Sequence, residues 1–213
     1  MEIIYSLIDL FLHLDLHIQT IFSEYGTGIY LILFLIIFCE TGLVVMPFLP
    51  GDSLLFAAGA LFASVTTEPS SVLGLTILLS IAAILGDAVN YTIGARMGQQ
   101  ILSSGGWRYL NRDHLHRAEA FYKKHGGKTI IIARFLPIVR TFAPFVAGCG
   151  KMDYRRFASY NIIGGIVWVA LFIFTGYFFG NLPVVKQNFK LVILAIIILS
   201  ILPVVIEFAK KRA

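Results

Sequence analysis

Four charged residues lie inside or beside apolar stretches of this sequence, where charges are unexpected. Two are carboxylates, Glu40 and Asp52, and two are arginines, Arg134 and Arg140, six residues apart in the segment ARFLPIVRTFAPFVAG. A lone charge at the centre of a bilayer is unfavourable by about 3 kcal/mol on insertion scales. We therefore expect these side chains to face one another or a water-filled cavity rather than lipid.

The chemistry of the four side chains is that of an anion site. Arginine is charged at any physiological pH, and its planar fork matches the oxygens of a phosphate group. Glu40 and Asp52 would pair with the arginines while the site is empty. When an anion displaces these carboxylates from the arginines, they would take up protons, which would couple movement of the anion to protons. The alternative is a buried salt-bridge cluster that only locks helices together, although such clusters stabilise less well than apolar packing.

Two further polar residues, Asp87 and Asn90, lie in the apolar segment GDAVNYTIG. One interpretation is that they hydrogen-bond to a neighbouring helix. The other is that they support the four charged residues at the cavity.

The residue patterns required by other kinds of site are absent from the sequence. We find no nucleophile with a paired base, no cluster of metal ligands and no glycine-rich phosphate loop. We therefore expect no catalytic residue, no metal, no cofactor and no enzymatic activity. A nucleic-acid partner is also not expected, because its binding would require Lys and Arg on the face of a soluble domain.

The composition indicates an integral membrane protein. Of the 213 residues, 58% are hydrophobic and only 14% are charged. Long apolar runs separated by short polar ones are typical of helices that cross the bilayer several times. We predict a single all-α membrane domain over residues 1–213.

Two apolar stretches are interrupted by helix breakers, which predicts two helical hairpins. Residues 27–64 are nearly twice as long as a helix across about 30 Å of hydrocarbon needs to be, so this stretch must turn. Residues 129–150 could just span as a straight helix, but their prolines favour a shorter hairpin. Whether residues 27–50 cross fully before the turn stays open. The residues expected to break the hairpins are Pro47, Pro50, Gly51, Pro137 and Pro144.

The distribution of basic residues predicts the topology. Residues 1–95 contain no Lys or Arg, whereas residues 96–128 and the C-terminal tail are basic. The positive-inside rule places this loop and the C-terminus in the cytoplasm. All loops then satisfy the positive-inside rule if each hairpin enters and leaves the membrane on the same side, as a re-entrant hairpin does.

The order of elements predicts an inverted repeat. An amphipathic helix, a hairpin and a spanning helix occur in residues 1–95 and again, in the opposite orientation, in residues 111–180. Broken helices in inverted repeats are a recurrent plan of transporters. The predicted interfacial helices are 3–22 and 111–125, and the predicted spanning helices are 72–95, 157–180 and, last, 189–207.

Four motifs connect the sequence to a known family. They are FCETGLVVMPFLPGDSLLFAAGAL, GDAVNYTIGARMG, FYKKHGGKTIIIARFLPIVRTFAPFVAG and YNIIGGIVWV. Together they resemble the DedA family over roughly residues 25–180. The resemblance implies two opposed re-entrant hairpins that face each other, in a multi-pass protein of the bacterial inner membrane. It also implies that Glu40, Asp52, Arg134 and Arg140 are functional residues.

The resemblance implies a function as well. Bacterial members of the family are linked to envelope integrity, to the proton-motive force and to the recycling of undecaprenyl phosphate. We therefore expect a lipid translocase that moves undecaprenyl phosphate, or a phospholipid, with protons as a candidate coupling ion. The alternatives are a proton-coupled exporter of small ions or drugs and an envelope-integrity protein that transports nothing. The oligomeric state stays open.

Overall fold

The computed structural model describes residues 26–43, 51–65, 69–104, 126–189, 191–196 and 198. These parts of the chain form helices and no strands, which confirms the prediction of an all-helical protein. Three helices begin at a proline, a residue that suits the first helical position because its missing N–H would have no partner there. The helices are α1 (Gly28–Gly42), α2 (Gly51–Val65), α3 (Pro69–Ser104), α4 (Lys128–Ala133), α5 (Pro137–Cys149), α6 (Tyr154–Phe179) and α7 (Pro183–Gln187).

Within the described part of the chain, two helices are long and apolar enough to cross a membrane. They are the segment Ser71–Met97 of α3 and the whole of α6. On α3 the usual distribution of a soluble protein is reversed, since Asp87 and Asn90 are at most 1% exposed while leucines, isoleucines and a valine are 40–61% exposed. Such an exposed apolar stripe suits contact with lipid. The stripe recurs at every fourth residue and consists of Leu73, Ile77, Ile81, Leu85 and Val89.

The helix boundaries differ from the predicted ones in explicable ways. The span predicted at 72–95 belongs to the longer α3, which continues into the basic region to Ser104. The span predicted at 157–180 begins earlier, at Tyr154, because Asp153 accepts a hydrogen bond from the backbone N–H of Arg156 at 3.0 Å and so caps the helix. The predicted interfacial helices 3–22 and 111–125, and most of the predicted span 189–207, lie outside the described residues.

The chain divides into two compact units. The first unit comprises residues 1–36, 48–80 and 168–213, and the second comprises residues 37–47 and 81–167. Helices α1, α3 and α6 therefore contribute residues to both units.

In the first unit, α2 and the second half of α6 approach closely through two glycines. A Cβ atom added to Gly59 would lie 2.1 Å from the carbonyl oxygen of Ile173. One added to Gly176 would lie 2.0 Å from the carbonyl oxygen of Phe56. Only glycine permits backbones to come this near, which is how small residues bring membrane helices together.

The second unit contains the same kind of contact between α3 and α5. A Cβ atom added to Gly94 would lie 2.1 Å from the carbonyl oxygen of Phe145, and one added to Gly148 would lie 2.1 Å from that of Tyr91. In both units each glycine faces the carbonyl of the residue three positions before its partner glycine. The two helix pairs therefore match residue by residue in the way they cross.

Candidate functional site

Glu40 and Arg140 form a buried ion pair in the second unit. Glu40 lies near the end of α1 and Arg140 lies in the first turn of α5. Nη2 of Arg140 is 2.5 Å from Oε1 of Glu40, and the two side chains are 2% and 1% exposed. The pair therefore joins two segments that are one hundred residues apart in the sequence.

The break between α4 and α5 gives the two arginines their positions. Leu136, the residue before Pro137, has φ −115° and ψ 104°, the extended conformation that a following proline favours. Helix α4 therefore ends with Arg134 as its C-cap, and α5 places Arg140 one turn into a new helix. The proline is thus the reason why the two arginines do not lie on one continuous helix.

Arg134 is bound in the same unit by residues of two other helices. Its Nη2 lies 2.5 Å from Oδ2 of Asp87 on α3 and also donates a hydrogen bond to Oδ1 of Asn161 on α6. Arg134, Asp87 and Asn161 are each 1% exposed. Arg134 is thus held by Asp87, a residue for which the sequence left two interpretations open.

Asn90 connects α1 and α5. Its Nδ2 donates to the carbonyl oxygen of Thr41 at 3.0 Å and to that of Thr141 at 2.7 Å. Thr41 follows Glu40 and Thr141 follows Arg140, so Asn90 bonds to the backbone directly beside both members of the ion pair. This contact gives Asn90 a supporting position for that pair.

Asp52 is described within the first unit, in the first turn of α2. Its Oδ1 accepts a hydrogen bond of 2.8 Å from Nε1 of Trp168 on α6, and both side chains are buried. The expectation that all four charged residues share one cavity stays a prediction.

The predicted hairpin breakers have different outcomes. Pro47 and Pro50 lie outside the described residues, and Gly51 is the first residue of α2. Pro137 starts α5 as expected, but the expectation that Pro144 breaks the chain is wrong, because it lies inside α5. Pro144 removes one backbone N–H from the helix, a defect that surrounding packing can tolerate in a membrane helix.

Sequence reasoning did not identify Asn161 or Trp168 as site residues. Both lie on α6, and both contact a charged residue that the sequence did single out. A signal was available for Asn161, since it is a lone amide in the apolar segment YNIIGGIVWV. No comparable signal exists for Trp168, because tryptophan is common in membrane helices.

The arrangement can bind and exchange charged groups without covalent chemistry. Among the described residues, no group of three or more His, Cys, Asp or Glu side chains is placed to hold a metal ion. The second unit instead contains two arginines, each of which forms a buried ion pair with a carboxylate. Guanidinium groups that are held in this way are suited to oxyanions.

Comparison with known proteins agrees with the motifs. Residues 49–178 match the VTT domain. The DedA protein of Escherichia coli K12 is 58% identical over 214 aligned positions, which cover 100% of this chain and 97% of that protein. An uncharacterized membrane protein of Mycobacterium tuberculosis is 40% identical over 186 positions, covering 87% of this chain and 81% of that protein.

A more distant relative carries a location in its name. The inner membrane protein YqjA of Escherichia coli K12 is 36% identical over 157 positions, covering 73% of this chain and 70% of that protein. No solved structure matches the chain. The VTT domain and the identity to DedA over the full length show that the chain belongs to the DedA family of membrane proteins.

Proposed function

We propose that the protein is a lipid translocase that moves undecaprenyl phosphate across the bacterial inner membrane. The observation that carries this proposal is the pair of buried arginines, Arg134 and Arg140, each bound to a carboxylate in a membrane protein. Ionisable residues within membrane segments are unfavourable for insertion and mark pathways for ions or substrates. The phosphate headgroup would pass the arginines while the polyprenyl tail stays in lipid.

The geometry of the pairs supports recognition of phosphate. Arginine binds carboxylate and phosphate oxygens with the same planar fork, so a phosphate can replace a carboxylate without rearranging the guanidinium. In the structure Arg140 is bound to Glu40. The carboxylate therefore occupies a position in which a phosphate oxygen would bind.

Exchange of these partners would couple transport to protons. A phosphate that displaces Glu40 from Arg140 leaves a buried carboxylate without its cation, which is unfavourable by several kcal/mol. Proton uptake by Glu40 removes that charge. Collapse of the proton gradient at fixed pH should therefore slow transport, and an unchanged rate would contradict coupling.

The proposed architecture is an inverted repeat with two opposed re-entrant hairpins. The matching glycine contacts of the two helix pairs, α2 with α6 and α5 with α3, support a repeat, because each hairpin would contribute one helix to one pair and a spanning helix would supply the other. The basic loop 96–128 and the C-terminus would lie in the cytoplasm, as the positive-inside rule requires. Attachment of a membrane-impermeant reagent to single cysteines in residues 105–125 would test this orientation.

We further propose that transport involves no catalytic step and no cofactor. The two buried arginines need only bind and release an anion. If incubation with undecaprenyl phosphate released inorganic phosphate, this part of the proposal would be overturned.

The test is reconstitution of the purified protein in liposomes with fluorescently labelled undecaprenyl phosphate. Wild-type protein should move the label between leaflets, and Arg140→Gln should reduce the rate by about tenfold or more, since one charged contact contributes at least ~1.4 kcal/mol. The matched control is Arg155→Gln, because Arg155 is also an arginine near a helix start but is exposed.

Three outcomes would contradict the proposal. Equal rates for wild type and Arg140→Gln would show that the arginine does not handle the headgroup. Cation export that survives this substitution would favour an ion or drug exporter. Wild-type protein that moves nothing would favour an envelope-integrity role without transport.

A further inference from the structure

The guanidinium of Arg134 is held by one of its three nitrogens. Nη2 is bound both by Oδ2 of Asp87, at 2.5 Å, and by Oδ1 of Asn161. Nε and Nη1 are buried and have no hydrogen-bond partner among the described residues. Since buried N–H groups are nearly always bonded, two unsatisfied nitrogens on a fixed arginine are unusual.

The orientation of Asn161 is fixed by a second contact. Its Nδ2 donates to the carbonyl oxygen of Ile84 on α3 at 3.0 Å. This bond assigns the amide nitrogen to α3 and leaves Oδ1 for Arg134. Asn161 therefore acts as an acceptor for Arg134, and it cannot turn its amide without losing the bond to Ile84.

Two glycines of α6 provide the surface on which Arg134 lies. A Cβ atom added to Gly164 would be 3.1 Å from Cδ and 3.2 Å from Nε of Arg134. One added to Gly165 would be 3.5 Å from Nη2. The absence of side chains there lets the arginine lie against the helix, and it leaves the guanidinium little freedom to move.

Asp87 and Asn161 thus bind the same nitrogen from two different helices. Asp87 supplies the negative charge that a buried guanidinium needs, and Asn161 supplies a neutral acceptor. Two carboxylates bound to one guanidinium would give the group a net negative charge, which would weaken its attraction for an anion. One carboxylate and one amide hold the group and preserve its capacity to bind another oxygen.

From these contacts we infer that Asp87 and Asn161 are positioning residues, which hold Arg134 by Nη2 so that the unpartnered Nη1 donates to an oxygen of a phosphate-bearing substrate. The inference rests on the proposed function and adds to it. Arg134 becomes the fixed cation of the site, whereas Arg140 is the cation whose partner Glu40 is exchanged. Asp87 stays bound to Arg134 during transport.

The test exchanges the carboxylate at position 87 and the amide at position 161. Asp87→Asn should reduce transport of labelled undecaprenyl phosphate by about ten- to a hundredfold, the scale of effect that misplacing a positioned group has. The double variant Asp87→Asn with Asn161→Asp again places one carboxylate and one amide on Nη2, but it loses the hydrogen bond to the carbonyl oxygen of Ile84. It should therefore transport several times faster than Asp87→Asn and more slowly than wild type, because one neutral hydrogen bond contributes less than a charged one.

Asp153→Asn is the matched control. It removes a carboxylate that is exposed and keeps the capping oxygen at the start of α6, so its transport should equal that of wild type. The half-saturating lipid concentration and the maximal rate are measured separately. Asp87→Asn should raise the half-saturating concentration, because the headgroup contact is misplaced, and a purely structural role for Asp87 would lower only the amount of folded protein.

Two results would overturn the inference. One is wild-type transport by Asp87→Asn. The other is a double variant that melts at the wild-type temperature but transports no better than Asp87→Asn, because charge placement on Nη2 would then be irrelevant.

Failure of the proposed function can be told apart from failure of the inference. The melting temperatures of Asp87→Asn, Arg134→Gln and their combination report the contact without any substrate, and the double loss should be smaller than the sum of the single losses. Additive losses would refute the positioning role. Uptake of radiolabelled inorganic phosphate, measured in parallel, distinguishes a free anion from a lipid headgroup. If the double variant restored phosphate uptake, the proposal of a lipid substrate would be refuted, but the role of Asp87 and Asn161 would stand.

Discussion

The buried pair of Glu40 and Arg140 allows stability and function to be separated by experiment. Three variants are needed: Glu40→Leu, Arg140→Met and the two combined. Each single variant breaks the ion pair from one side, whereas the double variant replaces both residues with apolar side chains. We expect the single variants to be far less stable than the double.

The expected magnitude follows from the distance and burial of the pair. At 2.5 Å, two unit charges attract by about 7 kcal/mol for an effective dielectric constant of about 20. Removing both charges from water costs several kcal/mol each, so the net contribution of the pair is small. Breaking it from one side should cost about 3–5 kcal/mol, and replacing both residues should be between neutral and about 4 kcal/mol stabilising.

The measurement is thermal unfolding of the purified protein in detergent. For a chain of this length, 1 kcal/mol shifts the melting temperature by about 2–4 °C, so each single variant should melt roughly 6–20 °C lower than wild type. The double variant should melt near or above wild type and yet transport no lipid. Arg155→Gln, which removes an exposed arginine, should leave the melting temperature unchanged.

Two results would refute this reasoning. If both single variants melted at the wild-type temperature, breaking the ion pair would have no measurable effect on stability. If the double variant lost the sum of the two single losses, the residues would be uncoupled. Full transport by the stable double variant would instead refute the role of the pair in function.

Two further predictions concern the packing of the helices and the hydrogen bond to Asp52, both read out as melting temperatures. Gly94→Ala and Gly176→Ala should each destabilise by about 1–3 kcal/mol because the added methyl meets a backbone carbonyl, whereas the control Gly74→Ala, in open space on α3, should stabilise by about 0.5–1 kcal/mol. Gly94→Ala as stable as the control would contradict the close helix crossing. Trp168→Phe should cost about 1.5–3 kcal/mol by removing the indole N–H from Asp52, and an unchanged melting temperature would show that this bond is unimportant.

The helices of this protein follow from its sequence more directly than the contacts between them do. Apolar length identified α3 and α6, and the proline rule located the start of α5 at Pro137. The same rule failed at Pro144, because a proline inside a helix removes one hydrogen bond, which packing can compensate, rather than ending the helix. Local rules are therefore reliable for starting a helix and weaker for ending one.

In the candidate site, the sequence predicts which charged residues are buried but not which residues pair. Burial of Glu40, Asp52, Arg134 and Arg140 follows from their place in apolar segments, since charges in lipid are too costly to expose. Pairing does not follow, because it depends on how each helix is rotated and how closely it approaches its neighbour. Asp87 and Asn161 lie 47 and 27 residues from Arg134 in the sequence, and nothing in the spacing identifies them as its partners.

The sequence alone determined that this chain is helical and that it belongs in a membrane. Composition and periodicity suffice for these conclusions, because they depend on the transfer of each residue from water to an apolar medium. Only the tertiary structure decided which acid binds which arginine. Glycines such as Gly86, Gly164 and Gly165 set the distances between helices, and those distances select the partners. Contacts between distant segments are a property of packing, and no local pattern encodes them.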